Sequence, residues 1–139
     1  MTDPLYGKIW NMVADASLFS SSFVPDRENR VYEERENGYK LTVSGTAKDK
    51  NYLWQYEAYY DGKPYPVIGR SDVDAITIYK LSDTFTVGFF TKTIGAGPNF
   101  VPGGPYARRP SADGKTLVVE AAGRNADGTP FYDVITYTS

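Results

Sequence analysis

Along residues 52–60 the side chains alternate, with Tyr52, Trp54, Tyr56, Ala58 and Tyr60 on one face and Leu53, Gln55, Glu57 and Tyr59 on the other. A period of two marks a β-strand with one buried face, so the first set is expected to point inward. The same reading sets Tyr39, Leu41, Val43 and Gly45 against Lys40, Thr42 and Ser44, and Leu117, Val119 and Ala121 against Val118, Glu120 and Ala122. In Ala75 to Leu81, Ile76 and Ile78 share a face with Lys80, which brings a cation to the interior or its rim. Arg30 to Glu36, Phe85 to Lys92 and Phe131 to Thr138 are also rich in β-branched and aromatic residues, but their faces are mixed and alternation leaves them unassigned.

Between these segments fall Asn37-Gly38, Asp61-Gly62-Lys63, Asp113-Gly114-Lys115 and Asp127-Gly128. Asn-Gly and Asp-Gly tolerate positive φ and signal tight hairpins. A first strand near Ile9 to Val13 and a short one around Tyr106 to Arg109 bring the expectation to about eight to ten antiparallel strands. No window carries a helical stripe, and only Ala14 to Ser21 suits a helical turn. A meander of this kind leaves two open edges unless it closes, so the expected fold is all-β, a single antiparallel up-and-down barrel.

Composition narrows the chemistry. The 139 residues suit one domain and carry a formal charge of -2 with both signs interspersed, so nucleic acid and anionic membrane are poor partners. No basic leader with an apolar run opens the sequence and no stretch reaches membrane-span length. The expectation is a soluble, cytoplasmic protein, or a mature form whose leader has been removed. There is no Cys and no His, which excludes disulfides, thiol chemistry, histidine triads and the usual zinc and haem sites. Any acid–base work falls to carboxylates, Tyr, Lys or Arg, and no metal or cofactor is expected. Glycosidase chemistry lacks an evident carboxylate pair, since Glu33, Glu34 and Glu36 sit on one strand and most Asp residues sit in turns.

One stretch breaks the rhythm of short turns: IGAGPNFVPGGPYARR, Ile94 to Arg109. Loops beyond about 12 to 15 residues without their own structure are uncommon in compact domains and are usually functional or disordered. No Lys-Ser/Thr follows Gly95-Ala96-Gly97, so a phosphate loop does not fit. Two readings of residues 94–107 stay open: a lid placing Phe100, Val101 and Tyr106 over a barrel mouth, or a loop packed outside the barrel or against a second copy in a homodimer. Of the two arginines after it, Arg108 and Arg109, alternation sends one inward and the other out.

Trp10, Ser17 and Phe19, then YEAYYDGKPYPVIG from Tyr56 to Gly69, then Asp74, Arg108, SADGKT from Ser111 to Thr116 and NADGTPF from Asn125 to Phe131 occur in an order that resembles the small bacterial lipocalin-like (calycin-type) barrel proteins. The resemblance spans nearly the whole chain and implies a lipocalin-like barrel, with no particular reaction; it also implies that Arg108, which matches the family's arginine just before SADGKT, is the inward one of the two arginines. This sequence departs from the pattern in reading G-x-x-W at Gly7 to Trp10 rather than G-x-W, and in carrying the long 94–107 stretch where relatives make a short hairpin.

The functional expectation is a small hydrophobic or aromatic ligand, phenolic or carboxylated, held among Trp54, Tyr56, Tyr60, Tyr39, Phe100, Tyr106 and Arg108. Small barrels hold either packed side chains or one small ligand, so the aromatic row is core or cavity wall. A buried Arg108 needs a carboxylate, a carbonyl or a ligand anion, and Glu34, Glu57 and Asp133 are its candidate protein partners. The alternative is a metal- and cofactor-independent isomerase, lyase or cyclase, with Tyr56 or Glu34 moving a proton and Arg108 and Lys80 stabilising an oxyanion.

Overall fold

The computed structural model describes residues 4–21, 23–92, 104–125 and 127–139. Its strands are β1 Ile9–Met12, β2 Arg27–Arg35, β3 Gly38–Ala47, β4 Lys50–Tyr59, β5 Tyr65–Ile68, β6 Ala75–Ser82, β7 Phe85–Thr91, β8 Gly104–Pro110, β9 Thr116–Arg124 and β10 Pro130–Thr138. Each pairs antiparallel with its sequence neighbour, and β1 also pairs with β10, so the ten strands form one closed up-and-down barrel. Among the described residues no helix is long and apolar enough to cross a membrane. Among the described residues the one helical piece is a 3₁₀ turn, Ala14–Ala16.

The expected turns are where the chain reverses: Asn37, Gly62, Gly114 and Gly128 all have positive φ. Lys48 and Asp49, both also at positive φ, make a further tight turn between β3 and β4 that no Gly announces. β5 went unforeseen because Pro64 and Pro66 demote the segment. Pro cannot donate to a ladder, and β5 correspondingly pairs at only two positions on each side.

Inside, the alternation holds. Tyr39, Leu41, Val43, Tyr56, Ala58, Ile76, Ile78, Leu117 and Val119 are buried, while Leu53 and Glu57 are exposed. The unassigned strands resolve into inward sets of Glu28, Arg30 and Tyr32 on β2, Thr86, Gly88 and Phe90 on β7, and Asp133, Ile135 and Tyr137 on β10. Trp10 is fully buried despite the G-x-x-W spacing, its Nε1 donating to the Leu5 carbonyl at 3.0 Å with the Lys8 ammonium over its ring. The segment between β1 and β2 is tied down by buried Asp133, whose carboxylate accepts from the backbone N–H of Ser20 and Ser21 and from the Ser21 hydroxyl.

The long loop expected over 94–107 ends earlier than that span. Residues 104–107 belong to β8, where alternating small and large side chains fit the ladder with β7 and β9. Tyr106 is therefore a wall residue and not a lid residue. Phe100 and Val101 lie outside the described residues.

Candidate functional site

Two neighbouring strands, β3 and β4, and one across the barrel, β8, bring tyrosines to a common point. β3 and β4 set Tyr39 opposite Ala58 and Leu41 opposite Tyr56, and β8 sets Tyr106 opposite Gly88 of β7. The absence of a side chain at Gly88 matters, because a Cβ there would stand 2.3 Å from Cε1 of Tyr106. The hydroxyls converge: Tyr39 lies 2.6 Å from Tyr56 and 2.7 Å from Tyr106, with 3.4 Å between Tyr56 and Tyr106. Burial pushes all three phenols above their ordinary range. The Arg108 charge pulls Tyr39 and Tyr106 the other way without overcoming it. They remain protonated through the neutral range and serve as hydrogen-bonding groups, not as bases.

Arg108 is 3 % exposed and packs between two rings, 4.8 Å from the Tyr32 centroid and 4.5 Å from that of Tyr39. Its Nη2 donates to Thr86 Oγ1 at 3.1 Å, while Nε and Nη1 have no partner among the described residues. No ion pair joins it to Glu34, Glu57 or Asp133. Glu57 pairs with Arg35 outside the barrel, and the Asp133 carboxylate is taken up by Ser20 and Ser21. Arg109 points outward to Glu120.

A second buried charge group sits on β2. Glu28 accepts from Arg30 Nε at 3.1 Å, from the Tyr52 hydroxyl at 2.8 Å and from the Tyr137 hydroxyl. Burial and the neighbouring Glu28 raise the pKa of both Tyr52 and Tyr137, so these donors keep their protons. Arg30 lies against Trp54 and Tyr137, with its guanidinium 5.6 Å and 5.1 Å from their ring centroids.

Between these groups is a cleft of about 60 Å³. Tyr32, Trp54, Tyr56, Phe90 and Tyr106 supply its rings, Leu41, Val119 and Ile135 its aliphatic surface, and Arg30 and Arg70 its charges. Arg70 comes from the loop between β5 and β6. Gly69, at φ +95°, brings that loop so close to β4 that a Cβ would stand 2.4 Å from the Leu53 carbonyl oxygen. The following side chain is thereby laid over the cleft, 4.8 Å from both the Trp54 and Phe90 ring centroids, and Asp72 grips it through Nε and Nη2.

Of the residues singled out in the sequence, Trp54, Tyr56 and Tyr106 line the cleft together, and Tyr39 stands behind them. Arg108 is one ring further in, separated from the cleft by Tyr32 and Tyr39. Tyr60 is half-buried with the Lys80 ammonium 5.8 Å above its ring. Lys80 and Glu34 do not join the site: both stand exposed near the ends of their strands, where alternation no longer implies an interior, and Lys80 pairs with Asp83. Glu28, Arg30, Arg70 and Phe90 were missed. The available signal was the Glu28–Arg30 spacing, which puts opposite charges two apart on one face of a strand.

The fold and the cleft define a closed antiparallel β-barrel with an aromatic, arginine-flanked interior. No protein-family model matches the chain, and no curated protein or solved structure matches it either.

Proposed function

We propose that this lipocalin-like barrel binds a small aromatic molecule in the cleft between Trp54, Tyr56, Phe90 and Tyr106. The observation that carries this reading is the cleft itself, an unfilled space walled by five rings at which a few polar groups converge. Its volume of about 60 Å³ is too small for a ring as it stands. A cavity of about 150 Å³ is known to accept benzene. Arg70, held among the described residues by an exposed aspartate and two ring faces, is the element that can swing out to make the difference. A single-ring ligand is therefore the natural size.

Binding is favoured over proton-transfer chemistry because the cleft tyrosines hold their protons and neither Glu34 nor Lys80 stands beside them. Native mass spectrometry of gently purified protein is expected to reveal a bound small molecule, and the fluorescence of Trp54 to respond to single-ring aromatics. Protein free of adducts, with fluorescence indifferent to a broad panel of such compounds, would overturn the reading.

A further inference from the structure

The tyrosine cluster holds more protons than it uses. Three hydroxyls carry three protons, yet only two short hydrogen bonds are made, both at Tyr39. The third contact, 3.4 Å between Tyr56 and Tyr106, is longer than an ordinary O–H···O bond. Tyr39 is fully buried and has no other acceptor among the described residues, so its own proton must go to Tyr56 or to Tyr106. It then accepts from the remaining one. In one arrangement the surplus proton sits on Tyr106, in the other on Tyr56. Both residues line the cleft.

The electrostatics around this relay favour one kind of acceptor. Arg108 places a buried positive charge 4.5 Å from the Tyr39 ring centroid with Nε and Nη1 unpaired among the described residues, and Arg30 lines the cleft itself. Glu28 and Asp72 are already occupied by Arg30, Tyr52 and Tyr137, and by Arg70. We propose that the cleft takes an aromatic molecule bearing an oxygen anion, a carboxylate or a phenolate, whose oxygen accepts the surplus tyrosine proton. This rests on the ligand-binding reading above and specifies its ligand class. Because the relay can reverse, either Tyr56 or Tyr106 can be the donor.

The test is a fluorine NMR titration comparing para-fluorobenzoate with para-fluorotoluene, two rings of similar size differing in the anion, on the unaltered protein and on Tyr56→Phe, Tyr106→Phe and the double variant. A charge-assisted hydrogen bond corresponds to about tenfold or more in affinity, so the benzoate is expected to bind at least that much tighter. The double variant should lose about tenfold for the benzoate and nothing for the toluene, which also shows that its cleft still forms. Each single variant should lose a smaller part, since the relay then ends on the tyrosine that remains. If the double variant binds neither probe, the single variants decide, and both must weaken the benzoate alone. Equal binding of the two probes, or an unchanged preference in the double variant, would overturn this inference and leave aromatic binding standing. Binding of neither probe by the unaltered protein would overturn both.

Discussion

Replacing Arg108 by methionine is expected to make the barrel more stable. In the folded state the guanidinium is 3 % exposed and, among the described residues, has one hydrogen bond, to Thr86, and leaves Nε and Nη1 unpaired. The substitution gives up that charged hydrogen bond, worth about 1.5–3 kcal/mol, and two desolvated cation–π contacts of about 2 kcal/mol each. Against this, each orphaned N–H costs about 1–3 kcal/mol, and the charge itself carries a desolvation penalty of several kcal/mol with no carboxylate to offset it. Methionine keeps the unbranched stem between Tyr32 and Tyr39 and fills irregular space well. Replacing buried ionic groups by apolar ones of similar volume has been neutral to stabilising by about 1–4 kcal/mol, and a gain in that range is expected here. Urea unfolding followed by circular dichroism measures it directly. The thermal midpoint should rise by roughly 3 to 5 °C per kcal/mol for a domain of this size. Arg108→Lys retains the charge while losing the planar stacking, so the order Met above native above Lys is expected. A methionine variant less stable than the native protein by about 1 kcal/mol or more would refute the reasoning.

Three further outcomes follow from other parts of the barrel. The phenols of Tyr39, Tyr56, Tyr106 and Tyr137 have folded-state pKa values above the unfolded value of about 10, so the stability they contribute is complete below that pH and is lost as pH rises beyond it. Alkaline titration of tyrosine absorbance should accordingly show these groups ionising only together with the loss of β circular dichroism; early titration in an intact fold would contradict the burial. Arg70→Ala should uncover the half-buried Trp54 ring and steepen acrylamide quenching of its fluorescence, while fully buried Trp10 stays silent; an unchanged slope would mean that Arg70 is no cover. Gly88→Ala, whose Cβ would press on Tyr106 at 2.3 Å and on the Thr77 carbonyl oxygen at 2.9 Å, should destabilise by about 1–3 kcal/mol in the same urea assay.

The barrel was legible because its signals are local. Asn37-Gly38 and the Asp-Gly turns fix where the chain reverses, and a period of two along Tyr52–Tyr60 fixes which face is inside, so strand order followed from adjacency. Lys48-Asp49 escaped because its left-handed pair has no glycine, and β5 because its prolines read as loop. The site was half legible. Trp54, Tyr56 and Tyr106 announce themselves as aromatics on an inward face. Glu28 and Arg30 do not, because a charge inside a barrel is tolerated only through partners on other strands: Tyr52 is 24 positions from Glu28 and Tyr137 is 109. Arg70 is a further case, since its place over the cleft depends on how closely one loop backbone approaches β4.

The pairing of β1 with β10 bears on how the chain acquires its shape as it is synthesised. Every other strand pair joins sequence neighbours, so each hairpin can form soon after its second strand leaves the ribosome, with little loop entropy to overcome. The seam is different: β1 must wait for residues 130–138, with which it registers at Asn11↔Thr138 and Met12↔Tyr137, followed by a lone bridge from Leu18 to Val134. Until that moment the growing sheet has an unsatisfied leading strand and nothing to cover its aromatic interior. Nascent chains stalled short of β10 should therefore be the form most prone to self-association and most dependent on chaperones.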